Sequence, residues 1–354
     1  VPGGDGVRRL IATTAALALL GAACQGSEAR ARGSARVLRL GIFPNLTHAP
    51  GYVALGAGIF DRLMGPTEVR ITVFNSGSDA GTALLSGSID ATYIGPGPTA
   101  ALWVESGKVA VVSGATLGGA SFVVRRGSGI RGPEDLPGKR IAGPGACNTP
   151  DVAHRTGLHA HGLETREEGG DVAVAVVDNA DLPGLFRSGG VDGAWEPEPY
   201  PSLLVAEGLA TPFLDERELW PGGRWVTTQL VVNTIYLGAH PDVVRRLVRA
   251  NVEAIRMMRE DPEEAERVAQ AQLALAGAPS LDQAVVDEAW SKLAFSWNPA
   301  IGSQVTMARN AYAVGCLDEE PSDILGVYRL DPLNAVLRSL GEPEVRMPAD
   351  EVGA

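Results

Sequence analysis

The sequence predicts an α/β protein of two lobes, with mixed, mostly parallel sheets flanked by helices and two strands crossing between the lobes. Three observations lead there. Short β-branched runs alternate with helical stretches through the first two thirds of the chain. The order strand, loop, helix occurs in two successive blocks, with no residue-level repeat between them. Beyond residue 233 the chain reads as helix, which packs back most simply on one of the two blocks.

Taken in order, the folded body begins at Val37, where Leu38, Leu40 and Ile42 make an apolar run that stops at Pro44. A helix is expected at 52–63, then a strand at 69–74, a helix at 79–85, a strand at 88–94, a helix at 99–105 and a strand at 109–112. The second block reads as a strand at 121–125, a turn at 133–136, a strand at 139–142 broken by Gly143-Pro144-Gly145, a helix at 151–161, a strand at 172–177, a helix at 181–187 and a strand at 191–195. A β-branched run at 225–233 returns the chain to the first block. Helices follow at 241–259, 263–275, 281–293, 303–314 and 332–340; in the first of these Val243, Leu247, Val252 and Ile255 fall near helical spacing. The segments 121–125 and 225–233 are the natural crossings. One lobe is then discontinuous, 37–121 with 229–348, and the other is 122–228, expected to close onto the first around a ligand.

With 354 residues and 45% hydrophobic content the chain is long enough for two domains. A formal charge of −12, without any Lys/Arg run beyond scattered pairs, argues against a nucleic-acid footprint. Residues 1–23 have the layout of a secretory leader: Arg8 and Arg9, an apolar run from 10 to 20 that is too short to span a bilayer, and Gly21-Ala22-Ala23 before Cys24. Small residues directly before a cysteine resemble a bacterial lipoprotein leader, which implies cleavage before Cys24, acylation of its thiol and a membrane-anchored, extracytoplasmic protein. Residues 24–36, rich in Gly, Ser, Ala and Arg, read as a flexible tether. Cys147 and Cys316 remain, and they either pair or stay free. No CxxC or HExxH spacing is present, so neither a metal nor a cofactor is expected.

Candidate binding residues come from one repeated device. Asn45 to His48, Ser76 to Ser78, Gly95 to Thr99 and Asn148-Thr149 each follow a strand and precede a helix, and the first N–H groups of a helix have no partner within it. Such ends carry about half a unit of positive charge and bind small anions without a basic cluster. Asn45 and Thr47 either cap the helix or reach ligand. His48 adds a donor when neutral and a cation when charged, or faces its own lobe as a structural residue. Ser76 and Ser78 offer hydroxyls to an oxyanion, or cap. Gly97 and Pro98 present little side chain, which suits either a close approach of backbone to ligand or a rigid turn. Asn148 or Thr149 caps a helix with Pro150 in its first turn.

Five segments, LRLGIFPNLTHAP, LLSGSIDATYIGPGPTA, PGKRIAGPGACNTPDVA, VDGAWEPEPY and DEAWSKLAF, resemble the aliphatic sulfonate, taurine and nitrate family of ABC-transporter substrate-binding proteins in composition and order. The resemblance implies a type II periplasmic-binding fold and a monomer without catalysis. It also implies a small organic anion held between the lobes, an aliphatic sulfonate or taurine before nitrate or bicarbonate, and delivery to a permease and its ATPase. It implies, too, ligand contact by Asn148 or Thr149, and a Trp-x-Pro segment, here Trp195-Glu196-Pro197, closing over the ligand. Trp195 covers ligand or belongs to the core. A cleft Glu196 repels a sulfonate unless it meets solvent or an amine, which taurine has. Pro44-Asn45 with His48 is also similar to the opening of the thiamine-pyrimidine precursor branch, whose members are binders or, in one branch, single-turnover synthases.

Overall fold

The computed structural model describes residues 35–348. The leader, Cys24 and most of the tether lie outside the described residues.

The first sheet has the order β11-β4-β10-β3-β1-β2 and the second β7-β6-β8-β5-β9. In the first, β1 (Val37–Ile42) lies parallel to β2 (Glu68–Val73) and β3 (Ala91–Ile94), while β10 (Val226–Asn233) runs antiparallel between β3 and β4 (Val109–Gly118), and β11 (Leu293–Phe295) edges β4. In the second, β6 (Arg140–Gly143) is parallel to β7 (Ala173–Val176) and β8 (Gly193–Pro197), and β5 (Ala120–Arg125) runs antiparallel between β8 and β9 (Ala210–Asp215). Each sheet is thus parallel in one half only, because the strands next to the crossings enter from the other lobe and run backwards. Every residue of β4 and β10 is buried, as expected of strands covered on both faces.

The helices are α1 (Ala49–Gly56), α2 (Ile59–Leu63), α3 (Gly77–Leu85), α4 (Pro96–Ser106), α5 (Thr149–Ala160), α6 (Leu182–Ser188), α7 (Tyr200–Ala206), α8 (Thr234–Ala239), α9 (Pro241–Glu260), α10 (Pro262–Leu275), α11 (Gln283–Ser291), α12 (Ile301–Ala313) and α13 (Asp331–Leu340). The expected helix at 52–63 is two, broken at Gly58, whose φ of 66° suits glycine. α9 buries Val243, Leu247, Val248, Val252, Ile255 and Met258 along one face. α7 and β9 are absent from the sequence reading: prolines at 197, 199 and 201 mask the helix and Pro212 interrupts the strand pattern. The expected helix at 281–293 stops at Ser291, and the chain then adds β11.

The chain crosses between sheets at Gly118-Gly119, with φ of 71° and 79°, and again between β9 and β10. Two seams close the lobes on each other. In one, α5 of the second lobe packs on α4 and α12 of the first, and Val152 and Trp225 share an apolar cluster with Ala100, Val305, Ala308 and Ala311. Cys147 and Cys316 form a disulfide along this seam, with Cα atoms 5.4 Å apart. The bond takes up both thiols that, with Asp151, would otherwise form a cluster of metal-ligand type. In the other seam α7 packs on α11 through Leu203, Leu281, Val285 and Val286. There Lys292 Nζ lies 3.0 Å from the buried Glu198 carboxylate and donates to Ser202 Oγ at 2.8 Å.

Candidate functional site

Between the lobes lies a cavity of about 290 Å³. The carboxyl ends of β1, β3 and β6 feed it, as an open α/β sheet dictates. Of the residues singled out in the sequence, Asn45, Thr47, His48, Pro98, Asn148 and Thr149 are on its wall.

Asn45 is an N-cap: its Oδ1 accepts from the Thr47 N–H at 3.1 Å and the Thr47 hydroxyl at 2.7 Å. Thr47 Oγ1 in turn accepts from Thr228 of β10 at 3.1 Å, which ties the opening turn to the crossing strand. His48 Nδ1 accepts from the Phe43 N–H at 3.3 Å, so the neutral ring carries its proton on Nε2. Burial pushes its pKa down to about 3. His48 is therefore a neutral donor at physiological pH.

Asn148 Oδ1 is buried and has no hydrogen-bond partner among the described residues, although Asn148 is the N-cap of α5. A buried acceptor left open on a cavity wall is placed to meet a donor on a ligand or a water. Thr149 Oγ1 accepts the Gly97 N–H at 3.1 Å across the lobes. Tyr200 Oη donates to the Pro44 carbonyl at 3.0 Å, and the Leu46 N–H donates to the Glu198 carbonyl at 2.8 Å.

The other singled-out residues lie elsewhere. Ser76 caps α3, accepting from the Asp79 N–H at 3.2 Å, and Ser78 is exposed; their hydroxyls are 3.0 Å apart, and the cavity wall takes Asn75 and Gly77 instead. Gly97 is turned to Thr149 rather than to the cavity. Trp195 is in the core of the second lobe, stacked on Phe122 at 5.5 Å and donating Nε1–H to Glu216 at 2.7 Å. Glu196 is fully buried off the wall, both oxygens lacking partners among the described residues, and burial raises its pKa well above the usual carboxylate range. Adjacent strand residues face opposite ways, and here neither side of β8 at these two positions is the cleft; Pro197, one step on, is on the wall.

The wall also contains residues the sequence reading passed over: Phe43, Tyr200, Thr227 and Thr228, with Asp178 and Asp181 exposed at the rim. Asp178 to Asp181 follow β7 and precede α6, so the strand-to-helix rule would have found them. Thr227 and Thr228 lie at the start of a crossing strand, where no such signal exists. Among the described residues, no lysine or arginine is on the wall.

Glycines set how near the lobes come. A Cβ at Gly95 would overlap the Thr149 hydroxyl, and one at Gly77 would lie 2.7 Å from Asn148 Oδ1. Gly95 has an ordinary φ of −74°, so its own backbone accepts alanine, and the added Cβ overlaps Thr149 of the other lobe first while lying 3.3 Å from the Thr227 carbonyl of β10. Gly95→Ala is expected to weaken ligand binding roughly 10- to 100-fold, the cost of about 1–3 kcal/mol for overpacking, with an unchanged circular dichroism spectrum. Undiminished affinity by calorimetry would show that the lobes need not meet here.

Stability should fall with acid. His48 and His154, the latter lowered to about 4 by burial and then by Arg155, stay neutral in the fold, whereas the unfolded chain protonates them below about 6.5. Their contribution is complete above 6.5 and is lost as pH falls towards 3 to 4, at about 1.4 kcal/mol per pH unit for each. Urea titrations between pH 7 and 4.5 should show this slope, and His48→Gln should make it shallower; an equal slope in the variant would rule His48 out as its source.

A sequence model of the NMT1-like family matches residues 32–274, and the chain belongs to that family. The taurine-binding periplasmic protein of Escherichia coli is 26% identical over 206 residues, 58% of this chain and 62% of the relative. A putative binding protein of Brucella abortus is 28% identical over 201 residues, 54% of this chain and 58% of its own length. The chain thus spans less than two thirds of these relatives. Among solved structures, the alkanesulfonate-binding protein of Xanthomonas axonopodis pv. citri bound to MOPS superposes with a TM-score of 0.69 at 20% identity, covering 81% of this chain and 96% of that one. The periplasmic nitrate-binding protein of Synechocystis PCC 6803 gives 0.73 at 16% identity, covering 90% and 91%. These likenesses establish the two-lobed periplasmic-binding fold.

Proposed function

We propose that the chain is the extracytoplasmic solute-binding protein of an ABC importer, without catalysis, and that it holds a small amine-bearing sulfonate of the taurine type between its lobes. The observation that carries this is the composition of the wall. Asn45, Thr47, neutral His48, Asn148 and Thr149 stand at strand ends and helix starts, two carboxylates stand at the rim, and no cationic side chain lines it among the described residues. Sulfonate oxygens accept well from neutral donors and helix N–H groups, while an ammonium group suits Asp178 and Asp181. Nitrate and bicarbonate bring no amine. The taurine-binding relative supports the same class. The leader and Cys24 support a lipid tether, from which a monomer delivers its ligand to a permease and ATPase.

A second reading, an aminopyrimidine of the thiamine-precursor kind, is favoured by the uncharged donors and by Phe43 and Tyr200, whose rings suit a flat ligand. Calorimetry separates the two. Taurine should bind at least tenfold more tightly than ethanesulfonate, which lacks the amine; tight binding of a hydroxymethyl aminopyrimidine with none of either sulfonate would reverse the assignment.

A further inference from the structure

In an acidic chain with three lysines, four cations stand round a second cavity of about 320 Å³: Arg217, Arg224, Arg259 and Lys292. The cavity sits at the hinge, against Gly118 of the first crossing and Gly223 of the second, and among the described residues no carboxylate is on its wall. Arg217 belongs to the second lobe, Arg259 and Lys292 to the first, and Arg224 to the segment between them.

Two of the four are neutralised from behind. Arg217 pairs with Asp215 at 2.6 Å, and Lys292 pairs with Glu198 at 3.0 Å and Glu288 at 3.3 Å. Neither of the other two makes an ion pair among the described residues, and the Glu342 carboxylate acts on Arg259 only from beyond salt-bridge distance. Arg259 stacks its guanidinium 4.2 Å over the Trp297 ring and donates to the Phe295 carbonyl at 2.7 Å, contacts that fix its plane without cancelling its charge. Arg224 is exposed and its side chain has no partner among the described residues. Two guanidinium groups without ion pairs on one concave wall match a phosphate-type oxyanion, whose several oxygens accept forked N–H pairs.

We propose that the hinge cavity binds a phosphate-type oxyanion, held by Arg224 and Arg259 with Arg217 and Lys292 behind them. Both free inorganic phosphate and the phosphate of a lipid headgroup supply that chemistry. Because the cavity takes its cations from both lobes, a bound anion links them across the hinge.

The test titrates inorganic phosphate into the full chain at constant ionic strength set with sodium chloride, and separately measures sedimentation with phosphatidylglycerol or phosphatidylcholine vesicles. Saturable binding of phosphate, weakened at least tenfold by Arg224→Gln and by Arg259→Gln and unchanged by Asn148→Ala in the ligand cleft, is the expected result. Arg224 touches nothing in that cleft, so its variant should keep the binding of cleft ligand. Binding to phosphatidylglycerol vesicles alone, lost in Arg224→Gln and missing with phosphatidylcholine, supports the same site with the headgroup as its source. Phosphate binding that survives Arg224→Gln, or disappears in Asn148→Ala, overturns the proposal, as does binding to neither phosphate nor the anionic vesicles.

Discussion

Replacing Cys316 with serine is expected to lower the melting temperature by on the order of 10 °C and to enlarge the ligand-free molecule in solution. The bond closes a loop between residues 169 apart, and loss of a cross-link of that span releases about 4–5 kcal/mol of chain entropy in the unfolded state. At about 2–4 °C per kcal/mol for a domain of this general size, the shift is large. The second consequence is specific to where the bond lies. Cys147 immediately precedes the N-cap of α5, and Cys316 follows α12 in the other lobe, so the disulfide locks the seam that carries Asn148 and Thr149. Dithiothreitol on the parent protein should reproduce both effects, read by calorimetry and small-angle scattering. A variant with parental melting temperature and radius would mean that the apolar cluster of α4, α5 and α12 holds this seam unaided.

Lys292→Met should destabilise the fold by about 3–5 kcal/mol, because it leaves the buried Glu198 carboxylate without its cation. Burial already raises the Glu198 pKa, and the Lys292 ammonium pulls it back. Without the lysine the carboxyl rises further, so in the fold it binds a proton that the unfolded chain has released. A raised folded pKa contributes stability that is complete below the unfolded value of 4.5 and is lost as pH increases. The variant should therefore be closest to the parent near pH 5 and furthest from it at pH 8. Glu198→Gln added to Lys292→Met should recover most of the loss. A uniform deficit across that range would point to packing of the lysine stem against α7 instead.

Much of this architecture is readable in the residues. Period-two and period-3.6 patterns locate β1, β2, α9 and α10, and the strand-to-helix rule finds Asn45, Thr47, His48, Asn148 and Thr149 on the cavity wall. The rule says where a turn lies and not which way its side chains face. Ser76 and Ser78 follow it as well as Asn148 does, yet Ser76 spends its hydroxyl on the α3 cap. Trp195 illustrates the same limit: a tryptophan at the end of β8 is equally suited to a cleft or a core, and only the position of Phe122 on the neighbouring strand decides for the core. The cysteine pairing and the Glu198–Lys292 contact join segments far apart in the chain, and no local pattern encodes them. Glycines 95 and 97 are legible as turns, but their tightest approach is to Thr149 of the opposite lobe, and Gly77 is pressed both by Pro98 of its own lobe and by Asn148 of the other.

The acidic rim has a kinetic meaning. Asp178 and Asp181 are exposed members of the cavity wall and turn negative charge towards an arriving solute. At low ionic strength a negative portal slows a bare anion and leaves a zwitterion nearly untouched. Selection between such solutes would then begin with how often each enters, and added salt would erase it without altering a single contact in the bound state.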